Sequence, residues 1–219
     1  MRKNRFEVSI VLLSFNRIEL TKKSVRNILH DIQDVDFEVI VVDNHSTDGT
    51  RDFLRSLKDP RVRLVLPPDN LFFGGGNNAG LDHCSGRHVI LTQNDMTFKS
   101  WSIRNILDLF HMLPKAGCLG IGGGFINQHG VIKEISNWWQ NPLRCFDYIP
   151  VDFVSGCLML FPRHFMNKQE ICFDTRYDLY WEDVDICHQV KKSGRLIYMV
   201  NNNLIGTRHL RSGTITPLL

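Results

Sequence analysis

No apolar run in this 219-residue sequence approaches the ~20 residues that a membrane-spanning helix needs. An uninterrupted apolar core is missing near the start as well, where Glu7, Ser9 and Ser14 break the hydrophobic stretch, so a secretory leader is not expected. Charge of one sign is scarce: 26 Lys and Arg face 23 Asp and Glu, and a net charge of +3 gives no ground for a nucleic-acid partner. Arg2, Lys3 and Arg5 read as a solvated terminus, with contact to an anionic membrane face as the alternative, so peripheral membrane association stays open. The six cysteines (84, 118, 145, 157, 172 and 187) contain no C-x-x-C pair, which removes zinc spacing. Four of them stand in apolar surroundings and suit buried thiols in a reducing compartment. The expectation is a cytoplasmic chain, free or at the inner face of the membrane. No repeat, low-complexity segment or linker divides it, so residues 1–219 read as one domain with ample material for a core.

What is present is a strict alternation of apolar strands and amphipathic helices. Residues 6–13 form a β-rich run that ends at Ser14-Phe15-Asn16. Asn16 and Glu19 then stand as a helix N-cap and its reciprocal partner, followed by the stripe Val25, Ile28, Leu29 and Ile32. Residues 37–42 are a second strand, closed by Asp43-Asn44. A helix follows Ser46-Thr47-Asp48, and residues 62–66 make a third strand. Such a succession predicts βαβ units and a parallel sheet whose strand ends share one rim. A glycine-rich loop, residues 70–80, precedes a short helix and then the strand Val89-Ile90-Leu91, which turns polar at Thr92-Gln93-Asn94-Asp95. Beyond it come a helix over 100–113, a hairpin around Asn127-Gln128-His129-Gly130, and a strand over 151–161 broken at Ser155-Gly156. A helix opening at Trp181-Glu182-Asp183 and ending at Gly194, and a strand over 196–200, complete the pattern. The tail from Asn201 shows weak periodicity.

Three polar clusters end successive strands: Ser14-Phe15-Asn16, Asp43-Asn44 and Gln93-Asn94-Asp95. Ligands of open α/β sheets sit at the carboxyl ends of strands, so these clusters face a crevice. Asp43 and Asn44 suit a base or ribose, the backbone near Phe15 a base, and Asp95 a divalent metal holding a diphosphate. Each residue has a plainer reading as a helix cap, and for Asp95 alone the two readings weigh equally. Gly74 to Ala79 fits G-x-G-x-x-A, but that fingerprint belongs directly after the first strand, and here the glycines follow Pro67-Pro68. A dinucleotide site is therefore rejected. Glu182 and Asp183 open a helix, where carboxylates are favourable for structural reasons alone. The rings of Tyr180 and Trp181 beside them suit a sugar-binding cleft and raise the pKa of a carboxylate. His209 reads as a surface histidine or a late metal ligand. Trp138-Trp139 is core or acceptor platform, with nothing to separate the two.

Taken together, these residues resemble family 2 glycosyltransferases of the GT-A fold, especially the rhamnosyltransferase-like branch, over nearly the whole chain. Residues 8–17 resemble the opening strand and nucleotide-binding turn. Residues 38–50, ending Asp43-Asn44-His45-Ser46-Thr47-Asp48-Gly49-Thr50, resemble the second-strand signature whose Asp contacts the base. Residues 70–80, with Gly76 and Asn78, resemble the loop near the sugar nucleotide. Gln93-Asn94-Asp95 falls where the family carries its D-x-D metal motif or the N-P-D variant of this branch, residues 151–156 with Asp152 at the acceptor-side strand, and Trp181-Glu182-Asp183 at the catalytic-base motif.

The resemblance implies an α/β GT-A fold, a Rossmann-like, mostly parallel sheet flanked by helices, with a smaller acceptor-side β region. Residues 1–96 would form the nucleotide-sugar-binding half of one domain and 97–219 its acceptor-binding and catalytic half. It implies an inverting transfer from a UDP- or dTDP-linked sugar to a glycan or lipid-linked acceptor hydroxyl, with Mn²⁺ or Mg²⁺. Asp183 would be the base, with Glu182 orienting it or binding the acceptor. Trp181 and Asp152 would bind the acceptor, Ser14, Phe15, Asn16, Asp43, Asn44, Gly76, Asn78, Gln93 and Asn94 the donor, and Asp95 and His209 the metal. Gln93 replaces the first Asp of D-x-D, and His209 lies outside the family's usual His-His-Gly-like context. The alternatives are a catalytically silent sugar-nucleotide-binding module and a nucleotidyltransferase.

Overall fold

The first strand, β1 (Phe6–Ser14), is buried on both faces from Val8 onward, which is what its continuous apolar run requires of a central parallel strand. The computed structural model describes residues 5–134, 147–166 and 171–210. Trp138 and Trp139 lie outside the described residues. After β1 come α1 (Ile18–Asp31), β2 (Phe37–Asp43), α2 (Thr50–Ser56), β3 (Val62–Val65), α3 (Phe72–Leu81), β4 (Gly86–Gln93) and β5 (Met96–Phe98). Then follow α4 (Ser102–Met112), β6 (Ala116–Gly120), β7 (Gly123–Ile126), β8 (Ile132–Glu134), β9 (Tyr148–Val151), β10 (Phe153–Val154) and β11 (Leu158–Pro162). The described chain closes with α5 (Glu182–Lys192), β12 (Leu196–Val200), α6 (Asn202–Ile205) and β13 (Thr207–His209).

Eight strands form the main sheet in the order β3-β2-β1-β4-β11-β6-β12-β9. The first four are mutually parallel, so Ser14, Asp43 and Gln93 end on one rim, with Ser14 in register with Asp43 and Leu13 with Gln93. Strand β11 enters antiparallel between β4 and β6, and β9 closes the far edge antiparallel to β12. Smaller sheets join β10, β7 and β8, and pair β13 with β5. Alternation along β1 sends Val8, Ile10 and Leu12 into the layer shared with Val25, Ile28, Ile103 and Ile106. Val11 and Leu13 enter the opposite layer with Phe161, Phe173, Ile186 and Val190. Each fully buried aliphatic side chain contributes roughly 1.5–3 kcal/mol.

Three local expectations are corrected. Asn16 and Glu19 do not cap α1: Arg17 is the capping position, in left-handed conformation, and Asp48 Oδ2, from the loop after β2, accepts Ile18 N–H at 2.9 Å. The other oxygen of Asp48 accepts from Thr50 N and Oγ1 at 3.1 and 2.6 Å, so one carboxylate serves two helix starts. The glycines of residues 70–80 lie inside α3 rather than in a loop, because the helix packs directly on the sheet. A Cβ at Gly80 would stand 2.5 Å from Val11 Cγ1 and 2.9 Å from Val42 Cγ2. The broken strand over 151–161 is two strands in different sheets, since the Ser155-Gly156 turn lets β10 join β7 while β11 joins the main sheet. The weakly periodic tail holds α6 and β13.

Candidate active site

The donor-side rim is built from interlocked loops. Asn16 and Arg17 both adopt left-handed backbone, φ 53° and 59°, a costly conformation for such residues. The loop after β2 holds it: Asn16 N–H donates to Ser46 Oγ at 2.7 Å, and Asn16 Oδ1 accepts Thr47 N–H at 2.8 Å. Beneath, buried Ser14 Oγ lies 2.9 Å from Thr21 Oγ1, and Asn94 Nδ2 donates to Thr21 Oγ1 at 2.8 Å and to Asn16 O at 3.1 Å. Ser14, Asn16 and Asn94 thus hold the rim in shape, while Phe15 stands 48% exposed at its edge.

Asp43 is fully buried. Its Oδ2 accepts from Arg51 Nε at 2.8 Å and from Ser46 N at 3.3 Å, while its Oδ1 has no partner. Asn44 clasps the approach to α3, accepting Leu71 N–H at 2.8 Å and donating to Phe72 O at 3.0 Å. Gly76 is buried, and a Cβ added there would stand 2.6 Å from Leu13 Cδ1. Asn78 holds the backbone of Phe173 at both ends, 2.8 Å to its carbonyl and 3.1 Å from its N–H.

Asp95 emerges between β4 and β5. The β13–β5 pairing sets His209 opposite Met96, which carries the imidazole back to the rim. His209 Nε2 lies 3.2 Å from Asp95 Oδ2, and Asp95 Oδ1 is buried without a partner. A carboxylate oxygen and an imidazole nitrogen this close are of the types that could share a divalent cation, with the remaining positions left to phosphate and water. Among the described residues no cluster of three or more His, Cys, Asp or Glu forms a fuller cage.

Next to this lies a cleft of about 400 Å³ whose walls include Phe73, Gln93, Gly156, Trp181, Glu182 and Asp183. A wider groove of about 700 Å³ follows the outer side of α1 past Lys22 and Arg26, and the carboxylates that line it are Glu19 and Asp31, none of those at the rim or the cleft. Glu182 and Asp183 occupy the first turn of α5 after two left-handed residues, Tyr180 (φ 69°) and Trp181 (φ 72°). Strain of that kind gathers at functional sites. Asp183 Oδ1 accepts Val184 N–H at 2.9 Å and Oδ2 accepts Gly156 N–H at 3.2 Å. Glu182 is 7% exposed, its Oε2 has no partner, and burial, aided by the neighbouring Asp183 charge, raises its pKa.

Asp152 is not among the cleft walls. It pairs with Lys191 and accepts Ile126 N–H at 2.8 Å. Burial works to raise its pKa, the Lys191 ammonium outweighs that, and the carboxyl ends below its ordinary value. Sequence reasoning missed Arg51, Phe73 and Gly156. Only the Ser155-Gly156 break in an apolar run signalled one of them.

A parallel nucleotide-type half joined to a mixed half, with carboxylates at the strand ends, is the architecture of GT-A glycosyltransferases. The mannosyltransferase PcManGT from Pyrobaculum calidifontis, solved in complex with GDP-Man and Mn²⁺, superposes with a TM-score of 0.66 at 18% identity, over 92% of this chain and 56% of that one. Residues 9–169 match the model of glycosyl transferase family 2, and the chain belongs to that family. It is 29% identical over 224 residues to the succinoglycan biosynthesis protein ExoO of Rhizobium meliloti, covering 97% of this chain and 63% of that protein. It is also 29% identical over 197 residues to an N-acetylglucosaminyl-diphospho-decaprenol L-rhamnosyltransferase of Mycobacterium tuberculosis, covering 72% and 62%. The chain thus spans a little under two thirds of the length of these relatives. No helix among the described residues is long and apolar enough to cross a membrane.

Proposed function

We propose that this chain transfers a sugar, with inversion, from a UDP- or dTDP-linked donor to an acceptor hydroxyl in the synthesis of a cell-surface polysaccharide or glycan. One observation carries the reading. Among the described residues, the buried carboxylate oxygens without a hydrogen-bond partner are Asp43 Oδ1, Asp95 Oδ1 and Glu182 Oε2. An unmet buried acceptor costs about 1–3 kcal/mol, more when charged, so three of them at one rim argue for ligands that complete them. Asp43 would take an imino N–H of the base, Asp95 the metal, and Glu182 a hydroxyl of the acceptor.

The residues present fit a divalent cation, Mn²⁺ or Mg²⁺, because Asp95 and His209 supply an oxygen and a nitrogen and leave the rest of the shell open. When bound, the ion offsets negative charge on the departing diphosphate. Asp183, fixed by Gly156 N–H, takes the proton of the attacking hydroxyl. Gln93 hydrogen-bonds the donor without adding charge, and Phe15 covers the base from the open side. Trp181 lies under the acceptor sugar, and the exposed rings of Tyr180 and Trp181 suit an acceptor that is glycan or lipid-linked and presented at the inner face of a membrane. ExoO and the decaprenyl-linked rhamnosyltransferase, by their names, support that acceptor class.

Calorimetry with UDP and dTDP tests this. Mn²⁺ or Mg²⁺ should tighten binding, Asp95→Asn should remove the enhancement, and Asp43→Ala should cost about 1.5–3 kcal/mol, the worth of a charge-assisted hydrogen bond. Equal affinity with metal and with chelator would leave Asp95 and His209 as a structural pair.

A further inference from the structure

The orientation of Asp183 rests on a backbone amide that has little freedom of its own. Gly156 N–H, 3.2 Å from Asp183 Oδ2, belongs to the buried turn between β10 and β11. The ring of Phe73 lies directly on this turn. A Cβ added at Gly156 would overlap its Cζ and stand 3.0 and 3.1 Å from Cε1 and Cε2. Phe73 is gripped in turn from two directions. Its ring meets Phe173 edge-on, centroids 5.5 Å apart at 89°, and Asn78 fixes the Phe173 backbone. Just before it, Phe72 is held at φ 55°, a strained left-handed value, by the Asn44 amide that clasps Leu71 and Phe72. Asn44 follows Asp43 at the donor-side rim. A continuous chain of contacts therefore runs from the end of β2 through residues 71–73 to the Gly156 turn and the Asp183 carboxylate.

We propose that Phe73 is a positioning residue: its ring pins the Gly156 turn, so that the Gly156 amide aims Asp183 into the cleft. The catalytic part of this rests on Asp183 as the base. A glycine is required at 156 because the ring occupies the volume that any side chain would take. Phe73 itself transfers no proton; it acts through Gly156. Since misplacing a reacting group by about 1 Å costs up to ~10²-fold, loosening the turn should cost rate while leaving the donor site intact.

The full chain is tested with Phe73→Ala, Phe73→Leu and Asp183→Asn. The Gly156 amide proton is followed by NMR through a pH titration, alongside UDP and dTDP affinity and hydrolysis of the sugar nucleotide. In the unsubstituted protein the Gly156 amide shift should follow a carboxyl titration that Asp183→Asn abolishes. Phe73→Ala should suppress that titration and lower kcat by ~10–100-fold with donor affinity unchanged, and Phe73→Leu, which refills the volume, should restore most of both. An undiminished Gly156 titration in Phe73→Ala overturns the proposal, as does an effect confined to KM, which would make Phe73 a substrate contact. Should Phe73→Ala fail to fold, the Leu variant decides: a kcat and a Gly156 titration both measurably below those of the unsubstituted protein support pinning, and identity with it in both overturns pinning. If Asp183→Asn keeps its turnover while the Gly156 titration behaves as expected, the base assignment fails and the pinning stands.

Discussion

At the scale of single residues, the site is marked by what its side chains leave unmet. Asp43 spends one oxygen on Arg51 and keeps the other bare in a fully buried position. Glu182 goes further, since burial raises its pKa despite a backbone hydrogen bond that lowers it, and the neighbouring Asp183 charge adds to the rise. The stability that comes with a raised carboxyl pKa is fully present below its unfolded value of about 4.3, where the group is protonated in both states. That contribution is lost as the pH rises through the folded value, so at neutral pH the ionised Glu182 works against folding. Glu182→Gln should therefore raise the melting temperature at pH 7, on the order of 2–4 °C for each kcal/mol recovered in a domain of this size. The gain should vanish below about pH 4, where glutamate is neutral. Melting curves across that range check it; no gain at pH 7 would mean the carboxylate is already satisfied, and its role as an open acceptor site would fall.

At the scale of elements, the loops after β1 and β2 form one unit. Asp48 accepts from the first turns of both α1 and α2, and its pKa falls below the ordinary value because bonds to Thr50 and Ile18 outweigh the burial that opposes them. Losing an N-cap carboxylate costs about 0.5–2 kcal/mol, so Asp48→Ala should lose at least 1 kcal/mol in urea unfolding. Glu19→Ala should stay within about 0.5 kcal/mol, since Glu19 meets only Lys22 at the surface. Equal losses would restore the local capping box that Asn16 and Glu19 suggest in sequence. Here is the limit of reading elements from a sequence. Apolar runs and helical stripes place β1 to β3, α1, α4 and α5 within a residue or two and find the core of β4, because periodicity is local. The cap from residue 48 to residue 18, the antiparallel entry of β11 beside β4, and the β13 strand that returns His209 to Asp95 are decided by tertiary contact, and no local pattern announces them. The helical setting of the α3 glycines is decided in the same way: a Cβ at Gly76 would meet Leu13 and one at Gly80 would meet Val11, across the layer.

At the scale of the whole molecule, the sheet has two ends with different chemistry. The unmet carboxylates gather where β1, β2 and β4 finish. The opposite end is tied by satisfied pairs: Glu38 Oε1 accepts from Ser9 and Ser85, and Glu7 bridges Arg104 at 2.8 and 2.9 Å. His88 on β4 stands at this end too, 9% exposed, its Nε2 3.3 Å from His111 Nε2, its buried Nδ1 without a hydrogen-bond partner and its ring edge-on to Phe110. Burial first, and then the nearby His111, lower its pKa below the usual histidine value, with the Glu7 carboxylate and the Arg87 guanidinium as the other charges that act on it. In the unfolded chain His88 binds its proton near pH 6.5, and in the folded protein only at lower pH. The unfolded state therefore takes up more protons across that interval, so stability is complete above about pH 6.5 and declines as the pH falls through it. Glu7 also has a lowered pKa, chiefly through its hydrogen bonds to Arg104, but its contribution is lost only below about pH 4.5, outside the histidine window. The melting temperature should thus drop between pH 7 and 5.5, and His88→Leu, which removes the group that must be kept neutral, should flatten the drop. UDP or dTDP affinity at pH 7 should be unchanged in that variant, because His88 lies at the far end of the sheet from the rim that holds Asp43 and Asp95. A drop of the same size in His88→Leu would place the acid sensitivity elsewhere, and a loss of diphosphate affinity would show that the two ends of the sheet are not independent.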